Sequence, residues 1–152
     1  MRGLPNDYVM SPIDETIFRR KGEQLQQYVQ YLTEYKNMPA DDFLSDHHNF
    51  GLAEHYLEHA IELVLDIARS VVAGLEKPMP DEARELFNIL VEADVVPSSF
   101  AKEHQAMVGL RNRLVHEYAT VDHERVYQYL QEHLDVFSEF LRHVQEYFSR
   151  KS

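Results

Sequence analysis

Apolar side chains recur at intervals of three and four residues along nearly the whole chain, a spacing that only an α-helix turns into a continuous face. No stretch alternates with the period of two that a half-buried strand requires. Five Gly and six Pro are thinly spread over 152 residues, with no repeat and no low-complexity run. The expectation is an all-α fold: one up-and-down bundle of about five helices.

The punctuation places the helices. Ser11-Pro12 opens the first, which carries Ile13, Ile17, Leu25, Tyr28, Leu32 and Tyr35 before Pro39 stops it. Residues 1–10 are expected to form a flexible extension, leaving 11–150 as a single domain. A second helix runs from about Asp46 to Leu75 with Gly74 as its stop, and two rows, Ala53, Leu57, Ala60, Val64, Ile67, Val71 and Ile61, Leu65, Ala68, Val72, make its apolar arc wide. Such an arc belongs to a helix with several neighbours, in the bundle centre or against another protomer. Asp81 caps a third helix to about Ala93, Pro97 and Ser98 start a fourth ending near Tyr118, and Asp122 caps a last, unbroken one carrying Val126, Leu130, Leu134, Phe137, Leu141, Val144 and Phe148.

Composition narrows function. The chain has no cysteine, which removes thiolate metal sites, disulfides and cysteine nucleophiles together and fits a reducing cytoplasm. The start, MRGLPNDYVM, lacks the apolar core of a signal peptide, and no segment has the length of a membrane span. With 15 basic and 26 acidic side chains the net charge is −11, which disfavours broad nucleic-acid binding but leaves room for a cleft where a few arginines meet phosphates.

The informative segment is MVGLRNRLVHEYATVD, residues 107–122. On a helical wheel Met107, Val108, Leu110, Leu114 and Val115 form one arc, and Arg111 falls inside it. A guanidinium keeps its charge on burial, so Arg111 must meet a carboxylate, with Asp66 as one candidate, or a partner chain, or a phosphate. Asn112 and His116 share the border of the arc four residues apart, and Tyr118 follows seven after Arg111. Guanidinium, amide, imidazole and phenol along one helix edge are the parts needed to cleave RNA without metal: one group takes the 2′-hydroxyl proton, another protonates the leaving 5′-oxygen, and the guanidinium holds the phosphorane charge. Read alone, the same residues also fit a buried ion pair, a hydrogen-bonded histidine at a helix end and ordinary packing for Asn112 and Tyr118.

Arg111-Asn112-Arg113-Leu114-Val115-His116-Glu117-Tyr118 resembles the Arg-x4-His-x-Tyr signature of HepT toxins, a branch of the HEPN superfamily. AEHYLEHAIELVLDIARSVV at 53–72, ELFNILVEADVVP at 85–97 and VDHERVYQYL at 121–130 are similar to the family in the same order. The likeness runs over roughly residues 46–148 and is weaker in the first helix. It implies a homodimeric, metal-independent endoribonuclease without cofactor, acting on transfer RNA or message in a cleft between two motifs. In that family Arg111 and His116 would be the catalytic pair and Asn112 an aid to positioning. The resemblance further implies a partner antitoxin, the minimal nucleotidyltransferase MntA, which would silence the enzyme by attaching AMP to Tyr118. The alternative from another class is a non-catalytic HEPN module that binds and regulates such a nucleotidyltransferase.

Other signals are weaker. His55 and His59 have metal-chelating spacing beside Glu62 and Asp66, yet a solvated face explains them, and a metal-binding bundle is the third reading. His47-His48 falls in an expected loop without a third ligand. Arg19-Arg20-Lys21 reads as a solvated face more readily than as a guide for RNA. The aromatic series Tyr127, Tyr129, Phe137, Phe140, Tyr147 and Phe148 reads as packing, and Gly109 as a point of close helix approach.

Overall fold

The computed structural model describes residues 12–116 and 120–151. Its elements are α1 (Pro12–Lys36), α2 (Ala40–Ser45), α3 (His47–Gly74), α4 (Ala83–Glu92), a 3-10 turn (Ser98–Phe100), α5 (Ala101–His116), α6 (His123–His133) and α7 (Val136–Lys151). Among the described residues there is no strand, and no helix is long and apolar enough to cross a membrane. The expected residues 1–10 and the opening Ser11 lie outside the described residues.

Helix α3 is the axis of the bundle. Its two expected rows are buried throughout, from Ala53 to Val72. Asp46 caps it, Oδ1 accepting from the His48 amide at 2.9 Å. Helix α1 runs antiparallel along it: Lys21 pairs with Asp66, Tyr28 meets His59, and Tyr35 meets Tyr56. Leu25 and Leu32 are buried between the two. Helix α5 crosses the same axis and buries Met107, Val108, Leu110 and Leu114.

Several boundaries depart from expectation, each for a local reason. The six-residue α2 was not foreseen; one apolar side chain, the fully buried Phe43, holds it against Tyr35 and Tyr127, and one anchor gives no periodicity to read. The third expected helix starts at Ala83 after Glu82, and Asp81 does not cap it. Helix α3 does end at Gly74, but the left-handed residue beyond it is Glu76, φ 60°. The final helix is two, broken at Leu134 and Asp135. The break lets α6 lay Tyr127 on Phe43 and hydrogen-bond its hydroxyl to the Met38 carbonyl, while α7 packs Phe148 on Phe18 and Leu141 against Gly22. The expected cap, Asp122, is confirmed by bonds from the Glu124 and Arg125 amides. The aromatic series is packing as expected, with Phe137, Phe140, Tyr147 and Phe148 buried.

One core residue is polar. His104 on α5 is completely buried, stacked on Phe87 at 4.0 Å and 4° and flanked by Phe100 and Phe140, and neither ring nitrogen has a hydrogen-bond partner. Burial, aided by nearby His143, pushes its pKa from 6.5 down to about 3. Between these values the unfolded chain takes up a proton that the native state refuses, so stability present above pH 6.5 is lost as the pH falls. Each pH unit in that window costs about 1.4 kcal/mol, so about 2 kcal/mol is gone by pH 5. His104→Phe should remove this acid sensitivity, read as the change in urea midpoint between pH 7.5 and 5.0. Equal losses in variant and wild type would show that His104 is not the acid-labile group.

Candidate active site

Arg111 leaves α5 toward α3, as a charged residue inside an apolar arc must if it is to find a counter-charge. Its Nε lies 2.8 Å from Oε2 of Glu62 on α3, with side-chain exposures of 18% and 40%. The Nε is buried and, although that close to the carboxylate, makes no well-directed hydrogen bond. Nη1 donates to the Oδ1 of Asn112 at 2.9 Å. The guanidinium is thus held from two sides, by the neighbouring amide and by the carboxylate across the helix crossing.

Of the carboxylates on α3, Arg111 meets Glu62 and not Asp66, which the sequence offered as one candidate. Asp66 lies one turn further along α3 and is taken by Lys21 and Arg69, each at 3.3 Å. Lys21 of the basic run therefore pairs within the fold, while Arg19 and Arg20 stay exposed.

His116 is the last residue of α5 and is exposed; among the described residues its imidazole has no hydrogen-bond partner. Asn112, half-buried one residue after Arg111, is the residue that contacts the guanidinium. Tyr118 lies outside the described residues. The structure therefore brings Arg111 and Asn112 together and leaves His116 exposed on the same helix.

Two further departures concern the surface beside this site. Val115, expected in the buried arc, is 37% exposed. Among the described residues a Cβ at Gly109 would meet nothing within 4 Å, so this glycine does not serve close packing there. Glu62 also forms part of the wall of an open groove of about 390 Å³ between α1 and α3, which Tyr28, Tyr31 and His59 line with it.

The metal-like patterns resolve differently. His55 is exposed and His59 half-buried against Tyr28, and His59 Nδ1 is 2.9 Å from the His55 carbonyl. His47 and His48 are not in a loop but in the first turn of α3, where Asp46 supplies the carboxylate that sequence reading had missed. All three are exposed, and the cap already accounts for Asp46, whose carboxyl is held below its usual range mainly by the His48 amide. A His123–Glu54 ion pair with Phe50 stacked on the imidazole ties the start of α6 to α3; burial raises the Glu54 carboxyl against that pairing.

Comparison with known proteins bears on this arrangement. Residues 25–144 match the family described as ribonuclease HepT-like. Over 138 residues the chain is 26% identical to the tRNA nuclease HepT of Aphanizomenon flos-aquae, covering 91% of this chain and 94% of that one. It is 28% identical to the mRNA nuclease HepT of Shewanella oneidensis over 85 residues, 56% of this chain and 64% of the other. Its fold is similar to that of the tri-AMPylated Shewanella oneidensis HEPN toxin in complex with MNT antitoxin, with a TM-score of 0.79 and 22% identity over 86% of this chain and 97% of that one.

Proposed function

This chain belongs to the ribonuclease HepT-like family, and we infer that it is an endoribonuclease toxin controlled by a MntA-like nucleotidyltransferase antitoxin. The observation that carries this reading is the restrained guanidinium of Arg111 on the same helix as the solvent-facing imidazole of His116. The substrate is RNA, transfer RNA or message as in the two nuclease relatives. Residues 11–150 act as one domain, and the protein works in the cytoplasm.

The reaction is attack of a 2′-hydroxyl on the adjacent phosphorus. A 2′-oxygen to phosphorus bond forms, the bond to the 5′-oxygen breaks, and a cyclic phosphate and a 5′-hydroxyl result. His116 moves the proton, Arg111 holds the charge gathering on the non-bridging oxygens, and Asn112 keeps the guanidinium in place. No metal is required. Because one imidazole cannot readily be base and acid in the same step, two chains pair so that two motifs face one cleft. The exposed Val115 and the open surface at Gly109 are features that a second chain could cover, and they support pairing beside α5.

Control acts through Tyr118. Each attached AMP adds a phosphodiester charge close to the motif, able to occupy Arg111 and exclude RNA. The test incubates wild type and Tyr118→Phe with a MntA-like enzyme and ATP, then compares intact mass and RNA cleavage in the presence of chelator. Wild type should cleave with chelator present, gain AMP and fall silent. Tyr118→Phe should cleave, gain no AMP at that position and stay active. Equal AMP incorporation into both proteins, or inhibition without a mass gain, would overturn the assignment of Tyr118, and cleavage abolished by chelator would overturn the metal-free mechanism.

A further inference from the structure

The role of Glu62 in the proposed reaction follows from how Arg111 is held. An arginine side chain ends four rotatable bonds from its backbone, and its value to a phosphorane depends on where the planar fork points. Two groups fix it here: Asn112 takes Nη1 and the Glu62 carboxylate takes the buried Nε edge. Among the described residues Nη2 makes no hydrogen bond, which fits a role for its donors toward an incoming oxygen. The backbone that carries the holder is anchored, because Glu62 stands between the buried Ile61 and Leu63 on the central helix.

The ion pair does not look like a device for stability alone. Glu62 is 40% exposed, and at that exposure a pair adds little to folding. It also places a negative charge beside the cation that must attract RNA, which works against substrate affinity. A carboxylate that weakens binding yet fixes the guanidinium makes sense where orientation governs the rate. Resting on the ribonuclease reading above, we propose that Glu62 is a positioning residue: it aims the Arg111 fork at the reacting phosphate without touching RNA itself.

This has a kinetic signature that a structural role lacks. Glu62→Ala should lower kcat by about 10- to 100-fold, since small misplacement of an aimed group is costly, while KM stays level or falls because a local negative charge is gone. Glu62→Gln keeps the length and a carbonyl oxygen beside Nε but not the charge, so it should recover only part of the loss. In an Arg111→Lys background Glu62→Ala should cost less than about twofold more, because no fork is left to aim. The measurements are kcat and KM on a single-stranded RNA for the four proteins and Arg111→Lys alone, each with a thermal unfolding curve. If Glu62→Ala does not fold, Glu62→Asp replaces it, since a carboxylate one methylene short misses Nε and should lose the same rate.

A rise in KM with kcat unchanged, a rate loss that only tracks the folded fraction, or full additivity with Arg111→Lys would each overturn the proposal. Failure of the underlying reading looks different. In that case Arg111→Lys and His116→Ala would cleave as wild type does, whatever Glu62 does.

Discussion

His116→Ala is expected to lose about 10²- to 10⁴-fold in RNA cleavage, the range a positioned proton-transfer group supplies, while its unfolding temperature stays at the wild-type value. The reasons for the two halves are separate. The imidazole is exposed at the end of α5 and has no partner among the described residues, so truncation opens no cavity and strands no buried polar group. Any effect on rate must therefore come from chemistry. Cleavage is measured on RNA with chelator present and unfolding by circular dichroism. Wild-type turnover in His116→Ala would remove the imidazole from the mechanism and with it the need for a second chain's motif.

The bundle was legible in the sequence because its signals are dense. Helix α3 carries two rows of apolar residues over more than five turns, and Asp46 and Gly74 mark its ends correctly. The same logic failed where a helix is too short or too continuous to show its boundary. Phe43 alone anchors α2, and the stripe from Val126 to Phe148 continues across the break at Leu134 and Asp135 because both halves face apolar neighbours. A wheel shows which residues share a face, not what covers it.

The candidate site divides in the same way. The charge of Arg111 within an apolar arc was visible, and so was the company of Asn112 and His116. Its counter-ion was not. Glu62 and Asp66 lie on one face of α3 a single turn apart, and only the height at which α5 crosses α3 decides between them. Sequence reading placed Glu62 with the solvated histidines, whereas it stands where the polar face meets the crossing. The signal for His104 was present and unused: it precedes Met107 by three and Arg111 by seven, which sets it on the buried arc of α5.

Arg111→Lys is expected to cost about 10²- to 10³-fold in cleavage rate with the fold intact, although the charge is conserved. Lysine presents three donors from one nitrogen at the tip of a flexible chain. Arginine at this position uses different atoms for different tasks: Nε faces Glu62, Nη1 donates to Asn112, and Nη2 has no hydrogen-bond partner among the described residues. An ammonium has no separate edge for Glu62 to hold while another faces the phosphate, so the charge is kept and the direction is lost. The stability change should stay small because lysine keeps a positive charge beside Glu62, whose side chain is 40% exposed. The rate loss should appear in single-turnover cleavage, with unfolding temperature and oligomeric state as controls. Cleavage within threefold of wild type would mean that charge alone suffices, so that the planar fork is not what meets the phosphorane.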